Sequence, residues 1–248
     1  MTYQHYAGIY QTVNLQGEVG LLTRNIVIRG DPTSDSDAFG VHVMVMGSAT
    51  GVFSGIEVCF LPLPLPLPLL LLLFLSFTFS FSSFSRQVTR GGQRGFLGRY
   101  PIHFHRLGDS PDSAVLDSSI HHNYQRALTV HGTISSLPPS FPPSLPPYLP
   151  LSSFPLATNV LTIARNVAYK THGHMYFLED AIETGNKFLY NLGMVVYLIP
   201  PAEQLPPIHS DDGPAVMWIT NPNNTFLHNS WSGSPHFCVW SAMIIYLK

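Results

Sequence analysis

Asn166-Val-Ala-Tyr-Lys-Thr-His-Gly-His174-Met-Tyr-Phe-Leu178 decides the fold, because the pattern occurs more than once. With one gap it aligns with Asn229-Ser-Trp-Ser-Gly-Ser-Pro-His236-Phe-Cys-Val-Trp240, and Ser119-Ile-His-His-Asn-Tyr-Gln-Arg-Ala127-Leu-Thr-Val130 fits the same frame. Each unit opens on a short β-type segment, passes a polar turn, and enters a second segment at a small residue or a histidine. Alternation at period two marks a strand with one face buried. A unit this short cannot bury that face alone. Stacked copies can, by sharing one apolar column with ladders at the inward positions. The chain is therefore read as all-β, a right-handed parallel β-helix forming a partial solenoid.

Working outward, Asn25-Ile-Val-Ile-Arg29, Val41-His-Val-Met-Val-Met46 and Leu161-Thr-Ile-Ala-Arg165 are further segments of this kind, separated by Asn, Gly and Asp. No stretch carries a helical apolar stripe with caps. A β-sandwich would also use short strands, but its hairpin signals, such as Asn-Gly between alternating runs, are absent.

Two irregular Leu/Pro/Phe/Ser-rich inserts interrupt the pattern. Leu61 to Ser85 departs from those four residue types only at Thr78, and Ser135 to Leu156 only at Tyr148. All four have codons that can be written in pyrimidines alone, which points to translated polypyrimidine DNA such as retained intron. The membrane-span alternative for Leu69 to Phe84 is weak. Prolines 62, 64, 66 and 68 precede it, proline at alternate positions cannot be helix interior, and the run is shorter than the roughly 20 residues a span needs. The second insert has the composition of a Pro-rich, extended loop. Removing it brings two repeat units to a spacing of about 22 residues, a solenoid coil length. The expected organisation is coils over 1–58, an insert over 59–88, coils with a His-rich cluster over 89–133, a second insert over 134–158, and coils over 159–248.

The formal charge is −2, charged residues make up 10 %, and there are 12 His against 12 Lys plus Arg. With no basic run, nucleic acid is not an expected partner, nor is an anionic membrane surface. Cys59 and Cys238 could pair only if the fold brings them together. The start at Met1 shows no basic n-region followed by an apolar one, so no signal peptide is read. The chain enters patterned sequence abruptly, and a preceding natural segment is expected.

Gly98-Arg-Tyr-Pro-Ile-His-Phe-His105 carries a resemblance. With Glu18-Val-Gly-Leu-Leu-Thr-Arg-Asn25, Ser119 to Gly132, Asn166-Val-Ala-Tyr169, Gly173-His-Met-Tyr-Phe-Leu-Glu-Asp180, Glu183-Thr-Gly-Asn186 and Trp218-Ile-Thr-Asn-Pro-Asn-Asn-Thr225, it resembles one family's β-helix region. That family holds the cell-migration-inducing hyaluronan-binding proteins, the transmembrane cell-surface hyaluronidases and the fibrocystin-like, G8-domain-associated proteins. The likeness covers nearly everything outside the inserts. It implies a parallel β-helix, an extracellular or cell-surface location, and an acidic polysaccharide such as hyaluronan as partner. It leaves two function classes open: a glycan-binding module, with or without polysaccharide-degrading hyaluronidase-like activity, and a non-catalytic structural or adhesive module. A shared fold does not transfer activity.

The densest polar group is Arg99, His103, His105, Asp109, His121, His122, Arg126 and His131. On a strand His103 and His105 are i and i+2 and share a face. There they could hold a metal or relay a proton, or simply form a stacked, hydrogen-bonded ladder. His174, Glu179, Asp180 and Glu183 add imidazole and carboxylate suited to acid/base work on a glycosidic bond. The same carboxylates, with Asn186, suit calcium, the one cofactor considered; as turn caps they would do neither. The catalytic candidates are thus His103, His105, His174, Glu179, Asp180 and Glu183. The substrate-binding candidates are Arg99, His122, Arg126, His131 and Asn186. Arg99 and Arg126 are included because a guanidinium binds a carboxylate bidentately. The metal question stays open. Asn223-Asn-Thr225 is a glycosylation sequon for a secreted chain.

Overall fold

The computed structural model describes residues 8–14, 16–31, 33–34, 36–59, 90–132, 157–204 and 209–241. The fold class expected from the repeat is the one observed. Among the described residues there is no α-helix, and three long sheets run the length of a parallel β-helix.

The first sheet stacks Ile26–Ile28, Ile56–Val58, Ser119–Asn123, Val167–His172, Leu192–Tyr197 and Ser230–Ser232 in chain order. The second stacks Val43–Met46, Ile102–His105, Leu128–His131, Tyr176–Leu178, Ala215–Ile219 and Phe237–Ser241. The third stacks Val52–Ser54, Ala114–Leu116, Thr162–Ala164, Lys187–Leu189 and Thr225–Leu227. Every neighbouring pair in these sheets is parallel. Ile9–Tyr10 and Val13–Asn14 stand outside the coil pattern as a small antiparallel hairpin.

Inward residues form the ladders that stacking predicts. Phe53, Val115, Ile163, Phe188 and Phe226 are in register along the third sheet, with Phe188 and Phe226 stacked at 5.3 Å. Phe104, Val130 and Leu178 do the same in the second, all fully buried. Burial of each such side chain contributes roughly 1.5–3 kcal/mol.

The corner between the third and first sheets explains the recurring asparagines. Asp117, Arg165, Tyr190 and His228 take positive φ of 51° to 56°, and each is followed by a residue whose side chain caps the preceding coil. Asn166 Oδ1 accepts the Ser118 N–H, Asn191 Oδ1 accepts that of Asn166, and Asn229 Oδ1 accepts that of Asn191, at 2.9–3.0 Å. Their amides donate to Val115, Ile163 and Phe188 carbonyls. The corner thereby satisfies backbone groups that would otherwise be buried unpaired. Asn166 and Asn191 are 25 residues apart, Ser118 and Asn166 are 48 apart across the second insert, and Asn191 and Asn229 are 38 apart. The coil at Asn191 escaped the repeat alignment because a longer stretch of chain separates Leu192–Tyr197 from Ala215–Ile219, with 3-10 turns at Pro201–Glu203 and His209–Asp212.

Both low-complexity tracts, and with them the membrane-span and retained-intron readings, lie outside the described residues. At their margins Cys59 is buried after Val58, and Thr158 pairs with Gly108 in a two-stranded sheet. The cysteines do not pair: Cys59 is buried and Cys238 exposed. Among the described residues no helix is long and apolar enough to cross a membrane.

Candidate functional site

The outer face of the second sheet carries the imidazoles. Register sets Met44, His103, Thr129, Phe177 and Trp218 in one row, and Met46, His105 and His131 in the next. Chain alternation puts His103 and His105 on the same face, as expected, and stacking adds His131 beside His105. Ring centroids are 5.2 Å apart for His103 and His105, 5.4 Å for His103 and His131, and 4.8 Å for His105 and His131. His103 is fully buried. Its Nδ1 lies 2.8 Å from the Gly98 carbonyl, which can only accept, so Nδ1 donates.

Carboxylates close the group from the following coil. His131 Nδ1 lies 2.6 Å from Asp180 Oδ2 and 3.2 Å from Glu179 Oε2. The Asp180 contact is an ion pair by distance rather than a well-directed hydrogen bond. Glu183 is fully buried; its Oε1 accepts the Gly132 and Asp180 backbone N–H groups at 3.0 and 3.2 Å.

These neighbours drive protonation in opposite directions. Burial, then the charge of His131, pushes His103 down to about 3 and His105 down to about 4, which keeps both neutral near pH 7. Burial also opposes charge on His131, but the close Asp180 carboxylate, with Glu179 and Glu183, outweighs it and raises its pKa. Burial lifts the Glu183 carboxyl to about 7.

Arg126 belongs to this group as an internal ion. Its guanidinium lies 3.9 Å from the Phe177 ring centre, donates to Tyr100 Oη at 2.8 Å, and pairs with Asp211 at 3.2 Å and Glu179 at 3.4 Å. Buried to 2 % exposure, it anchors the turn at His209–Asp212. His174 is also buried: its Nδ1 accepts the Ala215 N–H at 3.0 Å, and its ring stacks on Phe177. Asn186 sits in a second asparagine ladder: its Oδ1 accepts the Leu161 N–H, and its own N–H donates to Asn224 Oδ1. Arg99 is exposed, and Asp109 is exposed with Asn159 at 3.1 Å.

His122 lies elsewhere, in a cleft of about 500 Å³ beside the first sheet, lined by Arg90, Arg94, His122, Asn123, Lys170, His172 and Tyr197. The cleft follows a bend repeated on three coils, where His122, Lys170 and Val195 take φ of 54° to 65°. Tyr124 lies 4.9 Å from both the Arg90 and Arg94 guanidinium carbons. Arg94 is also paired with Glu203 at 2.9 Å. Burial first, then the neighbouring His121, Lys170 and Arg90, pushes His122 down to about 4. His172 is lowered too, by burial first and by Arg90 and Arg94. The cleft is therefore rich in permanent cations, while its imidazoles are neutral near pH 7. It suits a ligand carboxylate.

Of the residues singled out in the sequence, the fold unites His103, His105, His131, Glu179, Asp180, Glu183 and Arg126. Arg99, His122, His174 and Asn186 stand apart. Sequence reading missed Arg90, Arg94 and Lys170 as a set, and Asp211 as the partner of Arg126. Arg94 and Lys170 are far apart in the chain, and no local motif joins them.

The CEMIP beta-helix family model matches residues 78–137 and 156–246. Mouse Fibrocystin-L is 32 % identical over 248 aligned residues, covering 92 % of this chain and 5 % of its own length. Protein rliB of Dictyostelium discoideum is 31 % identical, covering 93 % and 16 %. The cell surface hyaluronidase of Danio rerio is 29 % identical, covering 96 % and 16 %. The chain thus spans only 5–16 % of the length of these relatives.

Proposed function

This chain belongs to the CEMIP beta-helix family, and on that premise we propose that it is an extracellular or cell-surface β-helix module that binds an acidic polysaccharide such as hyaluronan. The observation that carries this is the cleft in which Arg90, Arg94 and Lys170 converge on a chain of net charge −2. Its volume of about 500 Å³ is that of a ligand site. The Arg90 guanidinium and the Lys170 ammonium suit the regularly spaced carboxylates of such a polymer, with Arg94 already paired to Glu203, and Tyr197 supplies a ring for a sugar face. The name of the Danio rerio relative, a cell surface hyaluronidase, supports this ligand class.

Depolymerisation is a second reading, favoured by the imidazole–carboxylate group. A Glu183 carboxyl that titrates at about 7 is available in both forms near neutrality, as general acid/base chemistry requires. The non-catalytic, structural reading uses the same fold without it.

The test is hyaluronan-oligosaccharide binding by the full chain at low salt, with neutral dextran as control. Arg90→Ala with Lys170→Ala is expected to weaken binding at least about tenfold, from the loss of charge-assisted contacts. Equal binding by wild type and variant, or equal binding of dextran, sinks the assignment. Chain length of high-molecular-weight hyaluronan is followed in parallel with His103→Ala and Asp180→Ala. Binding without shortening leaves the non-catalytic module standing.

A further inference from the structure

We propose that His103, His105 and His131 bind one divalent transition-metal ion of the imidazole-preferring class, oriented by the Gly98 carbonyl and the Asp180 carboxylate. The three residues each offer a ligand atom, and these atoms all lie within 4.8 Å of one another. Three nitrogens around a tetrahedral zinc stand about 3.3 Å apart, given a Zn–N distance of about 2.0–2.1 Å.

Unpartnered buried ring nitrogens on His103 and His105 distinguish this trio. His103 donates through Nδ1 to Gly98, which leaves its Nε2 as an acceptor. That Nε2 is buried and, among the described residues, has no hydrogen-bond partner; the same is true of His105 Nδ1. An unsatisfied buried polar atom costs stability unless something occupies it. His131 Nδ1 lies 2.6 Å from Asp180 Oδ2, so the carboxylate holds the third ring against the other two. Metal-bound histidines characteristically give their other ring nitrogen to a carbonyl or carboxylate; His103 does so with Gly98, and His131 faces the Asp180 carboxylate.

The other cluster of candidate ligands lacks this property. In Glu57, Cys59 and His121 the donors serve each other: Cys59 Sγ–H donates to Glu57 Oε1 at 2.6 Å, and His121 Nε2 reaches the same oxygen at 3.2 Å.

Donor chemistry also selects the ion. Three imidazoles suit zinc, copper, nickel, cobalt or iron, whereas calcium and magnesium take oxygen ligands. Three protein ligands leave a coordination position open. His131 and Asp180 keep 12 % and 20 % of their side chains exposed, which gives the ion a way in.

The experiment uses the full chain, stripped with chelator and titrated with Zn²⁺ by calorimetry and with Co²⁺ by visible absorption. One ion per chain is expected, with cobalt bands of low-coordinate geometry. His103→Ala and His131→Ala should abolish this stoichiometric uptake, Asp180→Asn should weaken it about 10- to 100-fold, and Ca²⁺ should not compete. Circular dichroism checks that the variants fold. Zinc X-ray absorption on the wild-type chain needs no variant: imidazole scattering from three ligands is expected, and oxygen-only ligation overturns the proposal. Failure of the wild type to take up zinc or cobalt at micromolar concentration overturns it as well. So does uptake unchanged in the His103→Ala/His105→Ala/His131→Ala chain, which would assign the ion to other histidines. None of these readouts depends on a glycan, so this proposal and the polysaccharide reading fail separately.

Discussion

Arg126 Nη2 lies 3.2 Å from Asp211 Oδ1 inside the protein, with the two side chains only 3 % and 5 % exposed. The pair joins a residue just ahead of the Leu128–His131 strand to the loop that closes two coils later. Removing one member leaves a buried charge uncompensated. Asp211→Ala is therefore expected to lower stability by about 3–5 kcal/mol, and Asp211→Asn, which keeps an acceptor, by less. Urea unfolding of the three proteins checks the order; equal midpoints would show that Glu179 alone holds Arg126.

Glu183 makes stability depend on pH. Its folded pKa of about 7 lies above its ordinary value of 4.5, so the fold favours the protonated acid. That contribution is fully present below about pH 4.5 and is lost as pH rises through about 7, for a total of at most roughly 3 kcal/mol. Glu183→Gln is expected to flatten this window and to be more stable than wild type at pH 8. Denaturant midpoints at pH 5 and pH 8 test it; a variant that tracks the wild type at both pH values contradicts the assignment.

Asn191 caps the preceding coil and is itself held by Asn229 of the following one. It accepts the Asn166 N–H at 3.0 Å, donates to the Ile163 carbonyl at 2.9 Å, and pairs with Asn229 at 3.0 Å. Asn191→Ala strands buried backbone groups and is expected to cost about 2–4 kcal/mol, while Asn223→Ala on the exposed turn stays within about 0.5 kcal/mol. Thermal melts that rank the two alike would remove the ladder's claim to stability.

Gly193 occupies a position where a β-carbon has no room. One placed there would lie 2.5 Å from Val216 Cγ1 and 2.9 Å from Trp231 Cε3. Gly193→Ala is expected to cost about 1–3 kcal/mol by overpacking. Val216→Ala should relieve part of that, so the double variant is less destabilised than the two singles added. Strict additivity in the cycle would place the strain elsewhere.

Much of the fold was legible because a coil is local. Alternation in Leu161-Thr-Ile-Ala-Arg165 assigns faces, and asparagines such as Asn166 and Asn229 mark the corner. His103 and His105 were legible as a pair for the same reason, since i and i+2 on a strand share a side. His131 was noticed as polar, but its place beside His105 follows from register between coils, which the residues between them do not encode. Arg126 was read as a residue facing a ligand. Within the fold its charge is spent on Asp211, 85 residues away in the chain, and on Glu179.

Sequence alone determined that the chain is a β-helix and which imidazoles share a strand, because these follow from the two-residue period and its recurrence along the chain. Tertiary structure alone decided that Arg90, Arg94 and Lys170 line one cleft, that His103, His105 and His131 face one another, and that Arg126 is internal. Those relations depend on how coils separated by 25, 38 or 48 residues stack in register. Stacking is set by the shared apolar column and the backbone ladder, whatever the length of chain looped out between coils.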